Sequence, residues 1–398
     1  MIYILEILFI IYLITLGTNY VILKEPFVIN LNEAITYVFF IFLSIKIKLN
    51  IIKNIFKNFY LIKIFYIYIF IVSILSLFNI INNPLSCLSF IKMQLYPLLS
   101  IYIIYYLLKY LKINNILKIF KLSLLFFSII GILQYHYGMF TIPLNTYNRN
   151  LIELIEMGKS KSSYVATGLF DHWNAYSIYM NFLIIPIIIK IIIEKKYSNI
   201  IIFFLGIYAI FISFSRSGIF ISFLSVFFSL LFYSRKKIIR IFLLSIIIFS
   251  IYYTIKLLSN FKIEEIVFST LKFRNKLWLY GFSIIKSNIN ILLTGYGPKT
   301  FINVVGLGYN ALNLYLLTLF EFGIPGLIIL LLLILNYYII FFKEKSSIGK
   351  IFLLPILLFF LREFIENAFY SPIFKIMIIL YTLLYYRFKN IILTQITQ

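Results

Sequence analysis

Long apolar runs, separated by short polar clusters, fill this chain from end to end. Gly326–Phe342 is one such run, and with its flanks it approaches the ~20 residues a helix needs to cross ~30 Å of hydrocarbon. The runs are continuous rather than alternating, which argues against a transmembrane β-barrel. The pattern predicts an all-α, polytopic integral membrane protein with about twelve transmembrane helices. They fall near 2–23, 31–47, 59–81, 88–108, 117–137, 173–193, 199–214, 217–233, 238–258, 323–342, 350–369 and 372–389. Together they make a single transmembrane domain over 1–398, with two larger loops at 138–172 and 259–322. The second loop is rich in Ile, Leu and Phe and sets aromatic residues beside charges, as in Phe273–Trp278, a pattern suited to helices lying on a membrane surface. Ser213, Ser215, Arg216, Ser217 and Gly218 form a tight turn between two helices and place Arg216 at their mouth. The first apolar segment lacks a basic leader and a small-residue cleavage site, so it reads as a retained helix.

Composition agrees: 63% of residues are hydrophobic and only 12% are charged. A formal charge of +23 invites a nucleic-acid reading. The basic residues argue otherwise, because they form short clusters between apolar runs. Lys46, Lys48, Lys53 and Lys57 make one cluster, Lys109, Lys112, Lys118 and Lys121 another, and Arg235, Lys236, Lys237 and Arg240 a third. Such clusters mark cytoplasmic loops. They place both termini in the cytoplasm and the two long loops on the outer side of the cytoplasmic membrane. Cys87 is the single cysteine, so no intramolecular disulfide forms. His136 and His172 show no ligand spacing with any Cys, and no metal or cofactor is expected. Gly295 and Gly297 lack the Lys-Ser of a P-loop.

The candidate chemistry rests on arginine. Arg216 and Arg274 lie beside apolar runs on the outer side. Arginine near hydrocarbon is costly, and its guanidinium grips phosphate oxygens in a planar fork. The pair therefore suggests a site for a phosphorylated lipid, although Arg274, between Lys272 and Lys276, also fits a solvated basic face. Arg362, Glu363, Glu366 and Asn367 end the eleventh helix. Arg362 and Glu366 are four residues apart, so either an internal ion pair or a third phosphate-binding arginine with a carboxylate fits. Glu321, before Gly323, reads as a structural cap or a base. Asp171, His172 and Asn174 read as a helix-entry turn, with Asp171 as N-cap, or as part of the site.

The ordered marks GILQYHYG (131–138), GLFDHWNAYSIY (168–179), SFSRSG (213–218), FRNKLW (273–278), GYGP (295–298), NLYL (313–316) and EFGIPG (321–326) resemble the O-antigen ligase and polymerase superfamily. The resemblance covers about 131–340. Arg216 matches the arginine of that family's serine-arginine-glycine turn, with Ser215 beside it. Arg274 matches the arginine before the loop tryptophan, here Trp278. Gly295, Gly297 and Pro298 match the glycine-rich turn, and Asn313 and Tyr315 match a segment that begins with histidine in ligases. Leu312 stands at that histidine position, and Val165–Ala166 stands where relatives often carry an arginine. The resemblance implies an inverting, metal-independent transfer from an undecaprenyl-diphosphate-linked glycan, with the bilayer as its setting. A Wzy-like polymerase fits better than a WaaL-like ligase, since the ligase histidine is missing. A flippase for lipid-linked sugar is the rival from another class. A chain-length regulator and a flippase of the same pathway are the candidate partners. Arg216, Arg274, Glu321 and Glu366 are the candidate catalytic residues. Ser215, Trp278, Gly297, Asn313, Tyr315, Arg362, Asp171 and Asn174 are the candidate substrate-binding residues.

Overall fold

The computed structural model of the chain describes residues 2–16, 21–23, 29–44, 55, 58–81, 83–139, 166–170, 172–233, 263–287, 289–306, 311–364 and 368–396. The first half contains α1 (Ile2–Leu16), β1 (Val21–Leu23), β2 (Ile29–Asn30), α2 (Leu31–Ser44), α3 (Tyr60–Leu77), α4 (Pro84–Tyr110), α5 (Ile113–Tyr137) and α6 (Trp173–Glu194). The second half contains α7 (Tyr197–Phe211), α8 (Arg216–Tyr233), α9 (Ile263–Ser287), α10 (Ile289–Thr294), α11 (Phe301–Val305), α12 (Leu314–Lys343), α13 (Ser347–Arg362), a 3-10 turn (Ala368–Tyr370) and α14 (Pro372–Ile396).

Among the described residues the fold is all-α apart from one short antiparallel pair, β1–β2. Helices α3, α4, α5, α6, α8 and α12 are long and apolar enough to cross a bilayer. Every expected helix has a counterpart except 238–258, which lies outside the described residues. Three expectations are corrected. The first helix ends at Leu16 rather than 23, and Val21–Leu23 is a strand. The eleventh ends at Arg362 rather than 369, its last turn tied off by the Glu363 N–H bond to Phe359 O. The tenth begins at Leu314, not 323, and breaks at Gly323. The loop expected at 259–322 contains α9, whose buried Leu277, Gly281 and Ile285 recur at helical spacing, with Gly281 against Phe301 and Leu316 and Ile285 in the same apolar cluster.

Helix α6 is the hub. Its residues Tyr176 to Lys190 are all buried, the mark of a helix apolar on every side. It packs on α5, α7, α8 and α13. Pro186 lacks an N–H, so the Phe182 carbonyl has no helical donor, and the Tyr381 hydroxyl of α14 donates to it instead. The bundle's outside is oily: Ile41 is 65% exposed, Phe70 66% and Phe204 62%. An apolar exterior of this kind suits lipid rather than water.

Polar contacts gather at two ends. At the lower end, Asn115 binds Glu6, Lys121 donates to Ser198 and Asn199, and Lys389 pairs with Glu344. At the upper end lie the turns before α6, α8, α12 and α14, where the chemistry-bearing motifs fall.

Candidate functional site

The serine-arginine turn is built by capping. Ser215 precedes α8, and its Oγ accepts the Gly218 N–H at 3.1 Å, three residues on. The same hydroxyl donates to Asn174 Oδ1 at 2.7 Å, tying the starts of α8 and α6 together. Gly218 packs against Ser177, where a Cβ would lie 2.2 Å from its hydroxyl oxygen. Arg216 is the first residue of α8 and its side chain is exposed. A cation there opposes the helix macrodipole, typically at a cost of about 0.3–1 kcal/mol. The position contributes nothing to helix stability, which leaves the exposed guanidinium available for an anion.

Arg362 lies beneath this turn. Its Nε donates to Ser217 Oγ at 2.9 Å, and its Nη1 lies 3.7 Å from Glu363 Oε1. Both side chains are fully buried. Arg362 therefore pairs with its neighbour Glu363; Glu366, the expected partner four positions on, and Asn367 lie outside the described residues. The helix ends at Arg362 and Glu363 turns inward, its Oε2 accepting the Phe369 N–H at 2.9 Å. Losing one member of such a pair costs about 3–5 kcal/mol.

The start of α12 is fastened to the same corner. Asn313 caps it, with Oδ1 accepting the Leu316 N–H at 2.9 Å and Nδ2 donating to Phe364 O at 2.8 Å. Leu314 N–H donates to Glu363 O at 2.9 Å, and Tyr315 OH to Phe360 O at 3.0 Å. Asn313 and Tyr315 thus spend their polar groups on docking α12 against α13.

The break in α12 seats the glycine-rich turn. Pro325 cannot donate to the Glu321 carbonyl, so Gly297 N–H donates there at 3.0 Å. Gly323 interrupts the helix, and Tyr296 N–H donates to Phe320 O at 2.9 Å. Gly295, at φ 71, allows the approach, since a Cβ would lie 2.2 Å from Glu321 O. Gly297 is buried against Asn79. Glu321 itself is 2% exposed, and its Oε1 accepts the Lys299 N–H at 2.8 Å. Trp278 Nε1 donates to Ala311 O at 2.8 Å, joining α9 to the same corner. Arg274, one turn earlier on that face, is half-buried.

The helix-entry turn differs from expectation. His172, not Asp171, caps α6: its Nδ1 accepts the Asn174 N–H at 3.0 Å, because it is the residue directly before the first helical turn. Asp171 lies outside the described residues.

The upper end therefore joins Asn174 to Ser215, Ser217 to Arg362, Arg362 through Glu363 to Leu314, Asn313 to Phe364, Tyr315 to Phe360, and Gly297 to Glu321. Two contributors were given no site role from the sequence. Gln134 takes the Thr167 and Gly168 N–H groups on Oε1 at 2.9 and 2.8 Å. Ser217 receives Arg362. A buried glutamine inside an apolar helix was the available signal for the first; the second was read as part of the turn, and nothing in the sequence marks it as a partner of Arg362. Strain gathers here too: Phe214, Lys299 and Leu312 have φ of 55, 61 and 49, each beside one of these motifs. Among the described residues, no three His, Cys, Asp or Glu cluster as metal ligands would. An exposed guanidinium at the start of α8, above a buried one at the end of α13, is suited to holding an anionic group. No protein-family model matches the chain, and no curated protein matches it.

Proposed function

We propose that the chain is a membrane glycosyltransferase that polymerises undecaprenyl-diphosphate-linked oligosaccharide repeats into a surface polysaccharide. The observation that carries this reading is Arg216, exposed at the first position of α8, where a cation weakens the helix. The motif resemblance supplies the substrate class. The described basic cluster Lys109, Lys112, Lys118 and Lys121 lies at the opposite end, which supports an outward-facing site, cytoplasmic termini and about twelve helices across the cytoplasmic membrane.

In this reaction an acceptor sugar hydroxyl attacks the anomeric carbon of the donor glycan from the face opposite the diphosphate. The new glycosidic C–O bond forms as the anomeric C–O bond to the lipid diphosphate breaks, with inversion. The bonding pair leaves on the diphosphate oxygen. Arg216 meets that developing charge in surroundings of low dielectric. Arg362 positions the turn through Ser217, and Arg274 extends the phosphate grip from α9. Glu321 acts as a positioning group, because its carboxylate holds the Lys299 backbone. The hydroxyl proton passes to a carboxylate, with Glu366 and Asp171 as the candidates. The reaction needs no metal, since arginines carry the charge.

Ligase activity is disfavoured by Leu312 at the histidine position. A flippase remains the second reading on one observation: α12 is broken at Gly323, as transporter helices often are near their binding sites.

The test is glycan ladder length in a strain lacking the native chain and carrying Arg216→Ala or Arg216→Lys at matched membrane levels. Both variants are expected to lose elongation, by about 10²–10³ in rate for one lost charge-stabilising donor. Lysine fails because it lacks the planar fork. A normal ladder from Arg216→Ala removes Arg216 from the site.

A further inference from the structure

Beneath the serine-arginine turn, α6, α8 and α13 leave a small cavity of about 10 Å³ between them, room for one water and for nothing larger. Three buried polar side chains line it, one from each helix: Asn181, Ser225 and Arg362. Phe182 and Phe359 are among its apolar neighbours.

The obvious alternative is a dry packing void, and the polar groups weigh against it. Cavities that stay dry have apolar linings. Here Asn181 Nδ2 donates to Gly218 O at 3.0 Å, which sets the orientation of the amide. Its Oδ1 has no protein partner, and Ser225 Oγ has none either. Ser100, Ser128 and Ser229 each donate to the carbonyl four residues back in their helices, which Ser225 does not. Buried polar atoms without protein partners are uncommon and costly, and bound water is the usual remedy. Arg362 brings guanidinium N–H donors to the same wall. An anion fits less well, because Glu363 already lies 3.7 Å from that guanidinium and balances its charge.

We propose that a single structural water occupies this cavity and closes a hydrogen-bonded circuit around the start of α8. The water accepts from the Arg362 guanidinium and donates to Asn181 Oδ1 and Ser225 Oγ. Three partners are what a buried water typically has. From Asn181 the circuit runs to Gly218 O, then along the backbone to Ser217, whose Oγ accepts from Arg362 Nε at 2.9 Å. The water thus ties three helices together below the turn that carries Arg216. The site rests on the cavity and its polar lining, and it stands whatever ligand Arg216 takes.

The experiment is radiolytic hydroxyl labelling of the full-length chain in lipid nanodiscs, read residue by residue by mass spectrometry. Radicals formed at a bound water modify the side chains beside it. Phe182 and Phe359 are 1% and 2% exposed, so bulk water does not reach them, yet both are expected to be hydroxylated. Phe65 and Phe120, equally buried and outside the cavity lining, are the controls and should stay unlabelled. Ser225→Val replaces the hydroxyl with methyl groups that fill the space, and is expected to bring label at Phe182 and Phe359 down to the control level. Asn181→Leu removes an acceptor from the opposite wall and is expected to lower it too. The native chain decides the matter even where a variant fails to insert: label at Phe182 and Phe359 no higher than at the controls, as a dry cavity or a bound ion would give, overturns the proposal. Native-level label in either inserted variant also overturns it, because the radicals then arise elsewhere.

Discussion

Gly295→Ala should unfasten the glycine-rich turn from the broken helix. Gly295 has φ 71, and an alanine held there loses about 1–2 kcal/mol. Its Cβ would lie 2.2 Å from Glu321 O and 2.5 Å from Phe322 N. Both are backbone atoms at a kink, so the turn must move instead. Moving it breaks the Tyr296 N–H bond to Phe320 O and the Gly297 N–H bond to Glu321 O. Each is worth about 1 kcal/mol net. The total, about 3–4 kcal/mol, corresponds to roughly 10²–10³ in a local opening equilibrium. Hydrogen exchange read by mass spectrometry on peptides spanning 289–306 should report that acceleration at Tyr296 and Gly297. The bundle's Tm should change little, because the opening is local. Gly306→Ala is the control: Gly306 has the same φ of 71, but nothing lies within 4 Å of its Cβ position. It should strain its own turn and leave Tyr296 and Gly297 protected. Unchanged exchange at those two amides in Gly295→Ala would refute the docking argument.

Leu312→Asn should raise the thermal midpoint, by about 1 kcal/mol in stability, since Leu312 has φ 49 and asparagine tolerates that region; Leu312→His should leave chain elongation intact and create no transfer to a lipid acceptor. The Glu344 carboxyl should make the lower end acid-sensitive. Burial opposes its ionisation, but bonds from Tyr385 OH and Ser346 N–H and the charge of Lys389 outweigh it and lower its pKa. Its contribution is therefore full above the usual carboxylate value of about 4.3 and is lost as pH falls through the lower folded value, so Glu344→Gln should flatten the acid limb of a stability–pH curve.

Apolar runs made most helices legible, because a helix in lipid satisfies its own backbone and leaves a continuous oily signature. Boundaries were legible where turn residues fell beside them. Gly138, at φ 64, closes α5 at its expected end, its N–H donating to Gln134 O. Leu314–Phe322 was read as loop because Glu321 and the polar marks before it outweighed a short apolar stretch, and the cap by Asn313 became decisive only once α13 lay beside it. The serine-arginine turn was legible as a motif. Its partner Ser217–Arg362 was not, since 145 residues separate the two and only packing brings them together. The exchange of Asp171 for His172 as cap came although α6 begins at the expected Trp173: the residue directly before it supplies the acceptor, a ring nitrogen. Leu312 in a left-handed backbone carries no sequence signal at all.

The most direct test of the central proposal is reconstitution. The purified chain in vesicles would be given a synthetic undecaprenyl-diphosphate oligosaccharide, with EDTA present, and products separated by gel. The account predicts a ladder of elongated glycans, one free undecaprenyl diphosphate for each new linkage, and loss of both with Arg216→Ala. Movement of the intact lipid-linked sugar across the vesicle membrane, with no elongation, would contradict it and establish the flippase reading instead.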